Sequence, residues 1–289
     1  RGLASPITLE PDHNDIFAAR DSGCIQIHCA TCQEVLDSVI MAYRIAEDTG
    51  VNLPVIVNQD GFYLSFTREP VEIPDADEVR RFLPPYSPLN GSFRADTPQS
   101  RGVIVLGGAQ YTYFRYETHL ACVNALKVYD KTASEFKELF GRNYPQVEEY
   151  KMDDADYCFI MAGSFATKGM DAVDHLRDAG VKIGLVRPRL IRPFPGEAFR
   201  LSLRSVKSAA VIDQNISMGK GGILYSELAS ELYGAGDDYP LLLSYIAGLG
   251  GRDITPDDFF KIADELQVSA NCGTLSPPRM IFTEAEMEQ

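Results

Sequence analysis

Short apolar segments alternate with helical patterns throughout the second half of the chain. The runs with the length and apolar content of buried strands are 157–162, 181–186, 209–212 and 241–246. Helical spacing fills the intervals, and the last helix is marked by Thr255 as its cap and Pro256 in its first turn. Because parallel strands need long crossover connections, this alternation predicts a doubly wound parallel sheet.

A strand–helix–strand unit precedes this sheet. A short strand lies within residues 22–32, and a helix capped by Thr31 follows over 33–48. The apolar run at 53–57 is typical of a buried parallel strand. The spacing of the three elements predicts a βαβ unit.

Between the two units the chain is rich in proline. The prolines of this stretch are Pro70, Pro74, Pro84, Pro85, Pro88 and Pro98. Because proline lacks a backbone donor, we expect no regular structure in this stretch, and helical spacing returns at 118–140. The predicted organisation is a first α/β domain part over 1–75, an arm and helical linker over 76–152, the doubly wound domain over 153–266 and a weakly ordered tail or interface strap over 267–289.

Charge and hydropathy exclude two classes of partner. The formal net charge is −14 and the pI is about 4.7, which is unlike the basic footprint of a nucleic-acid-binding protein. No apolar run reaches the roughly 18 residues that a membrane-spanning helix needs. We therefore predict a cytoplasmic protein that binds neither nucleic acid nor membrane.

The six cysteines are scattered, which favours a reducing compartment over a disulfide framework. Cys29 and Cys32 form a Cys-x-x-Cys pair, and Cys24 is close in sequence. A zinc or iron–sulfur site requires four ligands, and the chain has no second pair of this kind. We therefore predict buried thiols rather than metal ligands, and no metal site in this chain.

Two polar clusters are candidate sites. The segment Asp12-His13-Asn14-Asp15, followed by Arg20-Asp21, fits either an acid–base group or an Asx-capped turn on a short helix. Asp60-Gly61-Phe62 follows the apolar strand at 53–57, where open parallel sheets bind ligands. The same segment also fits an ordinary turn in which Gly61 supplies the positive φ.

Two further motifs have competing interpretations. Gly219-Lys220-Gly221-Gly222 opens a helix and fits a phosphate cradle, but it lacks the P-loop pattern, and close helix–sheet packing or an interface is favoured. Arg187, Arg189 and Arg192 fit an anion site, and interface ion pairs are again favoured.

Several motifs, in the same order along the chain, resemble the α-type subunit of the 2-oxoacid:ferredoxin oxidoreductases. The first is Asp12-His13-Asn14-Asp15 with Ala19-Arg20-Asp21-Ser22-Gly23, and the others are Asp60-Gly61-Phe62, Pro70-Val71-Glu72-Ile73-Pro74, Arg192-Pro193-Phe194-Pro195, Asp213-Gln214-Asn215 and Gly250-Gly251-Arg252-Asp253. The resemblance extends from residue 1 to about residue 266.

This resemblance implies a fold and a set of cofactors. Residues 1–75 would be the C-terminal part of a pyrimidine-binding thiamine diphosphate domain, whose first half would precede residue 1, and 153–266 would be a transketolase C-terminal-like domain. Thiamine diphosphate and Mg²⁺ would be held mainly by a β-type subunit, and 4Fe-4S clusters by γ- or δ-type subunits. Electrons from a small, pyruvate-like 2-oxoacid would pass to ferredoxin, and coenzyme A is a candidate acceptor.

The resemblance also implies roles for named residues. Arg1 matches a family arginine that faces the substrate carboxylate, a group that a guanidinium binds in bidentate fashion. Asp12, His13, Asp15, Arg20 and Asp21 would form a polar loop beside the substrate. Asp60, Gly61 and Phe62 would contact the cofactor.

Three departures from the family pattern leave the substrate open. Ser65-Phe66 stands where the family has Ser-His, Glu10-Pro11 precedes Asp12, and Cys24 replaces a tryptophan. These changes allow another small 2-oxoacid, or oxalate, in place of pyruvate. A different class of function, a non-catalytic α/β scaffold that bridges subunits, is the alternative.

We expect the isolated polypeptide to contain no iron–sulfur cluster, because its six cysteines offer no four-ligand set. Assays of iron and acid-labile sulfide on the purified chain measure this. A stoichiometric cluster would contradict it.

Overall fold

The computed structural model describes residues 2, 8–89, 91, 93–100, 102, 104–234, 239–282 and 284–287. The helices are α1 (Asn14–Ala18), α2 (Cys32–Ala46), α3 (Ala76–Phe82), α4 (Gly108–Phe140), α5 (Phe165–Asp178), α6 (Gly196–Leu203), α7 (Ile223–Leu232), α8 (Pro256–Cys272) and α9 (Glu284–Met287). The strands are β1 (Ile25–His28), β2 (Val55–Asn58), β3 (Val147–Tyr150), β4 (Tyr157–Ile160), β5 (Ile183–Pro188), β6 (Leu190–Arg192), β7 (Ser208–Asp213), β8 (Leu241–Ile246) and β9 (Arg279–Met280).

The predicted βαβ unit is present, within a three-stranded sheet of order β2-β1-β6. β1 and β2 are parallel, and α2 begins where the Thr31 side chain accepts a hydrogen bond from the Glu34 amide. β6, from the second half of the chain, pairs antiparallel with β1. β2 is at the sheet edge and only partly buried, so the prediction of a buried strand was wrong in that respect.

The second sheet has the order β3-β5-β4-β7-β8-β9, in which only the β3–β5 pairing is antiparallel among the described strands. Helices α5 and α8 pack on one face, where Phe165 and Phe259 belong to one buried cluster. Helices α6 and α7 pack on the other, where Phe199 and Leu228 belong to a second. Helices on both faces of a mainly parallel sheet confirm the doubly wound prediction.

Local structure departs from the sequence prediction in the arm and the tail. α3 forms inside the proline-rich stretch, because Asp75 caps its amino end and no proline falls between 75 and 83. α4 begins at Gly108, ten residues before the predicted start at 118. β3 joins the second sheet from the predicted linker. In the predicted tail, α8 continues to Cys272 and β9 pairs with β8.

No helix in the described part of the chain is both long and apolar enough to cross a membrane.

A buried ion cluster joins the two sheets. Glu34, in the first turn of α2, ion-pairs with Arg189 and lies 3.0 Å from Arg187; both arginines are at the end of β5. Its Oε2 also accepts a 2.9 Å hydrogen bond from the Ala30 amide, and Arg187 makes a second pair with Glu148. The three central residues are at most 3% exposed. The predicted ion pairs of Arg187 and Arg189 are therefore present, within one chain.

The arginines decide the charge state of Glu34. Burial by itself raises the pKa of this carboxyl, but Arg187 and Arg189 outweigh it, and the pKa is lowered overall. Glu34 therefore stabilises the folded state above about pH 4.3, the pKa of an unperturbed glutamate, and this contribution is lost as the pH falls further.

We expect Glu34→Gln to lower the free energy of unfolding by about 3 kcal/mol, because it leaves two buried guanidinium groups with one remaining carboxylate partner. The control is Glu78→Gln, which breaks an exposed pair with Arg81 and should cost less than about 0.5 kcal/mol. Urea unfolding at pH 7 and at pH 4 compares them. Equal losses in the two variants would contradict a structural role for the buried cluster.

Candidate functional site

Polar side chains converge at the carboxyl end of the first sheet. β1 and β2 are parallel with His28 opposite Asn58, so both strands end at the same edge. Asp60 follows β2 by two residues, and His13 precedes α1. His13, His28 and Asp60 are each at most 2% exposed. The edge therefore contains a buried carboxylate between two imidazoles.

The Asp60 carboxylate accepts hydrogen bonds on both oxygens. Its Oδ1 is 2.9 Å from His13 Nε2 and 3.1 Å from His28 Nε2. Its Oδ2 accepts 2.6 Å bonds from both the backbone amide and the hydroxyl of Ser164, at the start of α5. One side chain thus links β1, β2, the segment before α1, and the second sheet.

These contacts determine the charge of the cluster. Burial raises the pKa of Asp60, but the charge and hydrogen bonds of His13 and His28 outweigh it and hold that pKa well below the usual range. The pKa of His28 is lowered, first by burial and then by His13. His28 Nδ1 has no hydrogen-bond partner in the described part of the chain.

The turn after Asp60 exposes two aromatic rings. Phe62 is 45% and Phe66 75% exposed, with ring centroids 5.4 Å apart. Phe62 has φ +64, whereas the ordinary-turn interpretation of this segment placed the positive φ at Gly61. A bulky residue in this region is strained and persists only where its surroundings hold it.

Neighbouring groups hold the turn. The Ser65 hydroxyl accepts a 2.9 Å bond from the Phe62 amide, and the Tyr63 hydroxyl donates a 2.7 Å bond to the Gly251 carbonyl. Asp60, through its own hydrogen bonds, fixes the start of the turn. The turn is therefore supported from both halves of the chain.

The segment before α1 is positioned by the loop after β7. The His13 amide donates to the Gln214 carbonyl at 2.8 Å, and Asn14 Oδ1 accepts from the Ile216 amide at 2.9 Å. Asp12 accepts from the Asn14 amide, which is the Asx-type turn considered as one interpretation, and Asp15 accepts from the Ile16 amide. Of the predicted polar loop, only His13 reaches Asp60.

Arg20 and Asp21 lie elsewhere. They precede β1, whereas His28 ends it, so about four residues of strand, roughly 13 Å, separate the two groups. Arg20 lies 3.4 Å from Glu227 in α7. The structure therefore does not gather Asp12, His13, Asp15, Arg20 and Asp21 around one point. Arg1 is outside the described residues.

Sequence reasoning missed three members of the cluster: His28, Asn58 and Ser164. Asn58 Nδ2 lies 3.0 Å from His28 Nε2. The position of His28 at the end of β1, beside the strand that precedes Asp60, was the sequence signal that could have identified it. Ser164 had no sequence signal, because it reaches Asp60 only through the packing of the two sheets.

His13, His28 and Asp60 also have the spacing of metal ligands, with the candidate atoms within 4.8 Å of one another. An ion there would have to displace the hydrogens that both imidazoles direct at Asp60. Because Asp60 is already satisfied by four donors, hydrogen bonding accounts for the arrangement. That this chain holds no metal stays a prediction.

The glycine-rich loop is not open to a phosphate. The first amides of α7 donate to the chain's own side chains: Ile223 to Asn215, and Leu224 and Tyr225 to Asp213. A Cβ at Gly222 would collide with the Asp213 carboxylate. Burial raises the pKa of Asp213 to about 6. The close packing favoured from the sequence is thus confirmed.

Two family models cover most of the chain. Residues 1–134 match the thiamine diphosphate-binding region of pyruvate flavodoxin/ferredoxin oxidoreductase, and residues 155–259 match core domain II of pyruvate:ferredoxin oxidoreductase. The fold thus belongs to a class of α/β subunits related to thiamine diphosphate enzymes.

Curated relatives agree with these matches. Pyruvate synthase subunit PorA of Methanothermobacter thermautotrophicus is 40% identical over 261 residues, which cover 89% of this chain and 65% of the relative. PorA of Pyrococcus abyssi is 40% identical, and the match covers 67% of its length. Ketoisovalerate oxidoreductase subunit VorA of Pyrococcus horikoshii is 38% identical, and the match covers 69% of its length. The chain thus spans about two thirds of these relatives. It belongs to the 2-oxoacid:ferredoxin oxidoreductase family, among the α-type subunits.

The fold also resembles a solved structure. The 2-oxoglutarate:ferredoxin oxidoreductase of Magnetococcus marinus, with 2-oxoglutarate, coenzyme A and succinyl-CoA bound, superposes with a TM-score of 0.57 at 17% identity. The match covers 93% of this chain and 47% of that one. At this identity the comparison supports the fold alone.

We expect Asp60→Asn to lower the free energy of unfolding by about 3 kcal/mol, because it removes the buried negative charge between two imidazoles. Ser164→Ala should cost about 1.5 kcal/mol. Because both changes act on the same carboxylate, the double variant should lose at least about 0.5 kcal/mol less than the sum. Urea unfolding of all four proteins measures the coupling, and strict additivity would contradict the shared network.

Proposed function

We propose that this chain is part of the α-type subunit of a thiamine-diphosphate-dependent oxidoreductase that decarboxylates a small, pyruvate-like 2-oxoacid and passes the electrons to ferredoxin. The observation that carries the proposal is the Asp60 network, which fixes a strained aromatic turn at the carboxyl end of the sheet. This edge lies within the region that matches the thiamine diphosphate-binding model. The names of the relatives support pyruvate or a branched 2-oxoacid as substrate.

The residues at this edge fit the cofactor's aromatic ring. Phe62 and Phe66 offer exposed, flat, apolar surfaces, to which an aminopyrimidine ring would bind by stacking. Gly61 leaves room for close approach to the backbone. When bound, thiamine diphosphate supplies the carbanion chemistry of decarboxylation.

Asp60 acts through the turn rather than by contact with the cofactor. Its oxygens are occupied by His13, His28 and Ser164, and the side chain is 1% exposed. Its role in the proposal is to set the position of Phe62, so Asp60 and the two histidines are positioning residues. Arg1 remains the proposed partner of the substrate carboxylate, with the planar fork that this role needs.

The remaining parts of the proposal concern partners. Mg²⁺ and most of the cofactor contacts would come from a β-type subunit, and the 4Fe-4S clusters from γ- or δ-type subunits. Coenzyme A as the acyl acceptor stays a prediction; the Magnetococcus marinus enzyme, which shares the fold, was solved with coenzyme A and succinyl-CoA bound. Cytoplasmic location, oxalate as an alternative substrate and the scaffold alternative stay predictions.

The test is made on the complete oxidoreductase complex that contains this chain. We expect ferredoxin reduction with pyruvate or 2-oxoisovalerate and little with oxalate. Phe62→Leu keeps an apolar side chain but removes the flat ring, and should raise the thiamine diphosphate concentration for half-maximal activity by about tenfold. Tyr233→Leu, which replaces a ring that is 92% exposed at the end of α7, is the matched control and should have no effect.

Two outcomes would contradict the proposal. Absence of turnover with every 2-oxoacid in a fully assembled, cofactor-loaded complex would support a scaffold. Turnover with an unchanged thiamine diphosphate requirement in Phe62→Leu would leave the activity standing but remove the aromatic turn from the cofactor site.

A further inference from the structure

A cavity of about 350 Å³ lies at the amino end of β1, opposite the Asp60 cluster. One wall is the segment after α1, from Arg20 to Cys24. The other walls are the middle of α4 and the segment that begins at Arg192. Gly23, with φ +93, brings its wall close to α4, and its carbonyl is 3.7 Å from the Cys122 sulfur. The segment after α1 and the middle of α4 thus lie side by side and form two walls of the cavity.

The cavity walls are positive, although the protein is acidic. Arg20, Arg115, Arg192 and His119 line it, and the lining acid is Asp21, whose side chain is 77% exposed. The formal net charge of the chain is −14, so the overall field repels anions. A concentration of three guanidinium groups therefore marks a local departure from the rest of the surface.

The ion pairs around the cavity do not use all of this charge. Arg192 and Arg20 share one carboxylate, Glu227, at 2.8 and 3.4 Å, and Asp21 lies 4.0 and 3.6 Å from the same two groups. These two acids balance two arginines. Arg115, exposed on α4, has no ion-pair partner within the described ranges, so one guanidinium with its five donors is available to a ligand.

Part of the cavity lining is apolar. Val123 and Leu126 of α4 and Phe194 contribute to it. A lining that combines a guanidinium fork with apolar side chains suits a ligand with one charged end and one hydrocarbon end.

We propose that this cavity binds a small oxyanion on an apolar stem, a carboxylate or a phosphate ester, and that Arg115 is its principal anchor. Arg192 and Arg20, paired with Glu227 and Asp21, line the opposite wall. The site does not depend on the function proposed above, because it lies at the other end of β1.

Two cysteines in the walls allow a direct test. Cys24 and Cys122 line the cavity and are partly exposed, whereas Cys272 is exposed at the end of α8. Iodoacetate is itself a small carboxylate, and iodoacetamide is its neutral analogue. For each thiol, the ratio of the two alkylation rates cancels the thiolate fraction and reports the local attraction for an anion.

We expect this ratio, measured by mass spectrometry on the full chain, to be at least about tenfold higher at Cys24 or Cys122 than at Cys272, and to fall by about tenfold in Arg115→Gln. Arg204→Gln, an exposed arginine in the turn after α6, is the matched control and should leave every ratio unchanged. Equal ratios at the three cysteines, or ratios that Arg115→Gln does not change, would overturn the proposal.

Protection experiments then distinguish the two oxyanions. Butyl phosphate and butyrate are added separately during iodoacetamide labelling, with inorganic phosphate and 1-butanol as probes that carry only one half of the proposed chemistry. The proposal requires that at least one of the two complete probes protects Cys24 or Cys122 in a saturable manner, more strongly than either half-probe, while Cys272 stays reactive. Protection by 1-butanol alone, or by no probe, would overturn it.

Discussion

The Asp60 carboxylate is buried, and it stays ionised only because four donors surround it. Desolvation alone would favour the neutral acid, and the opposing contribution comes from two imidazoles on one oxygen and the amide and hydroxyl of Ser164 on the other. Those donors belong to separate segments of the chain. The need to satisfy one charge therefore fixes the relative positions of β1, β2, the segment before α1 and the start of α5.

The Glu34 cluster extends the same principle to the contact between the sheets. A carboxylate from α2 is paired with two arginines from the end of β5, and β6 continues from there into the first sheet. A buried ion pair adds little net stability over an apolar contact, but leaving one partner unpaired is costly. The interaction thus disfavours any arrangement in which the two sheets separate.

Neighbouring groups explain how Phe62 keeps its strained backbone conformation. An aromatic residue at φ +64 is unfavourable in isolation, and here it is held by Ser65, by Tyr63 on Gly251 and by Asp60 beneath. The result is an exposed pair of rings on a rigid base, at the edge where parallel sheets bind ligands. The polar loop that the motif resemblance emphasised contributes mainly His13 to this arrangement.

The amino-acid sequence alone determined the fold class, because hydrophobic periodicity and helix caps such as Thr31 and Thr255 are local properties of the chain. It also identified Asp60 and His13, since their neighbours in sequence carry the motif. Tertiary structure alone decided that His28 and Ser164 join them, that Arg20 and Asp21 do not, and that Glu34 meets Arg187 and Arg189. These outcomes depend on how two sheets pack, and the packing is set by the burial and pairing of charges far apart in sequence, which no local pattern encodes.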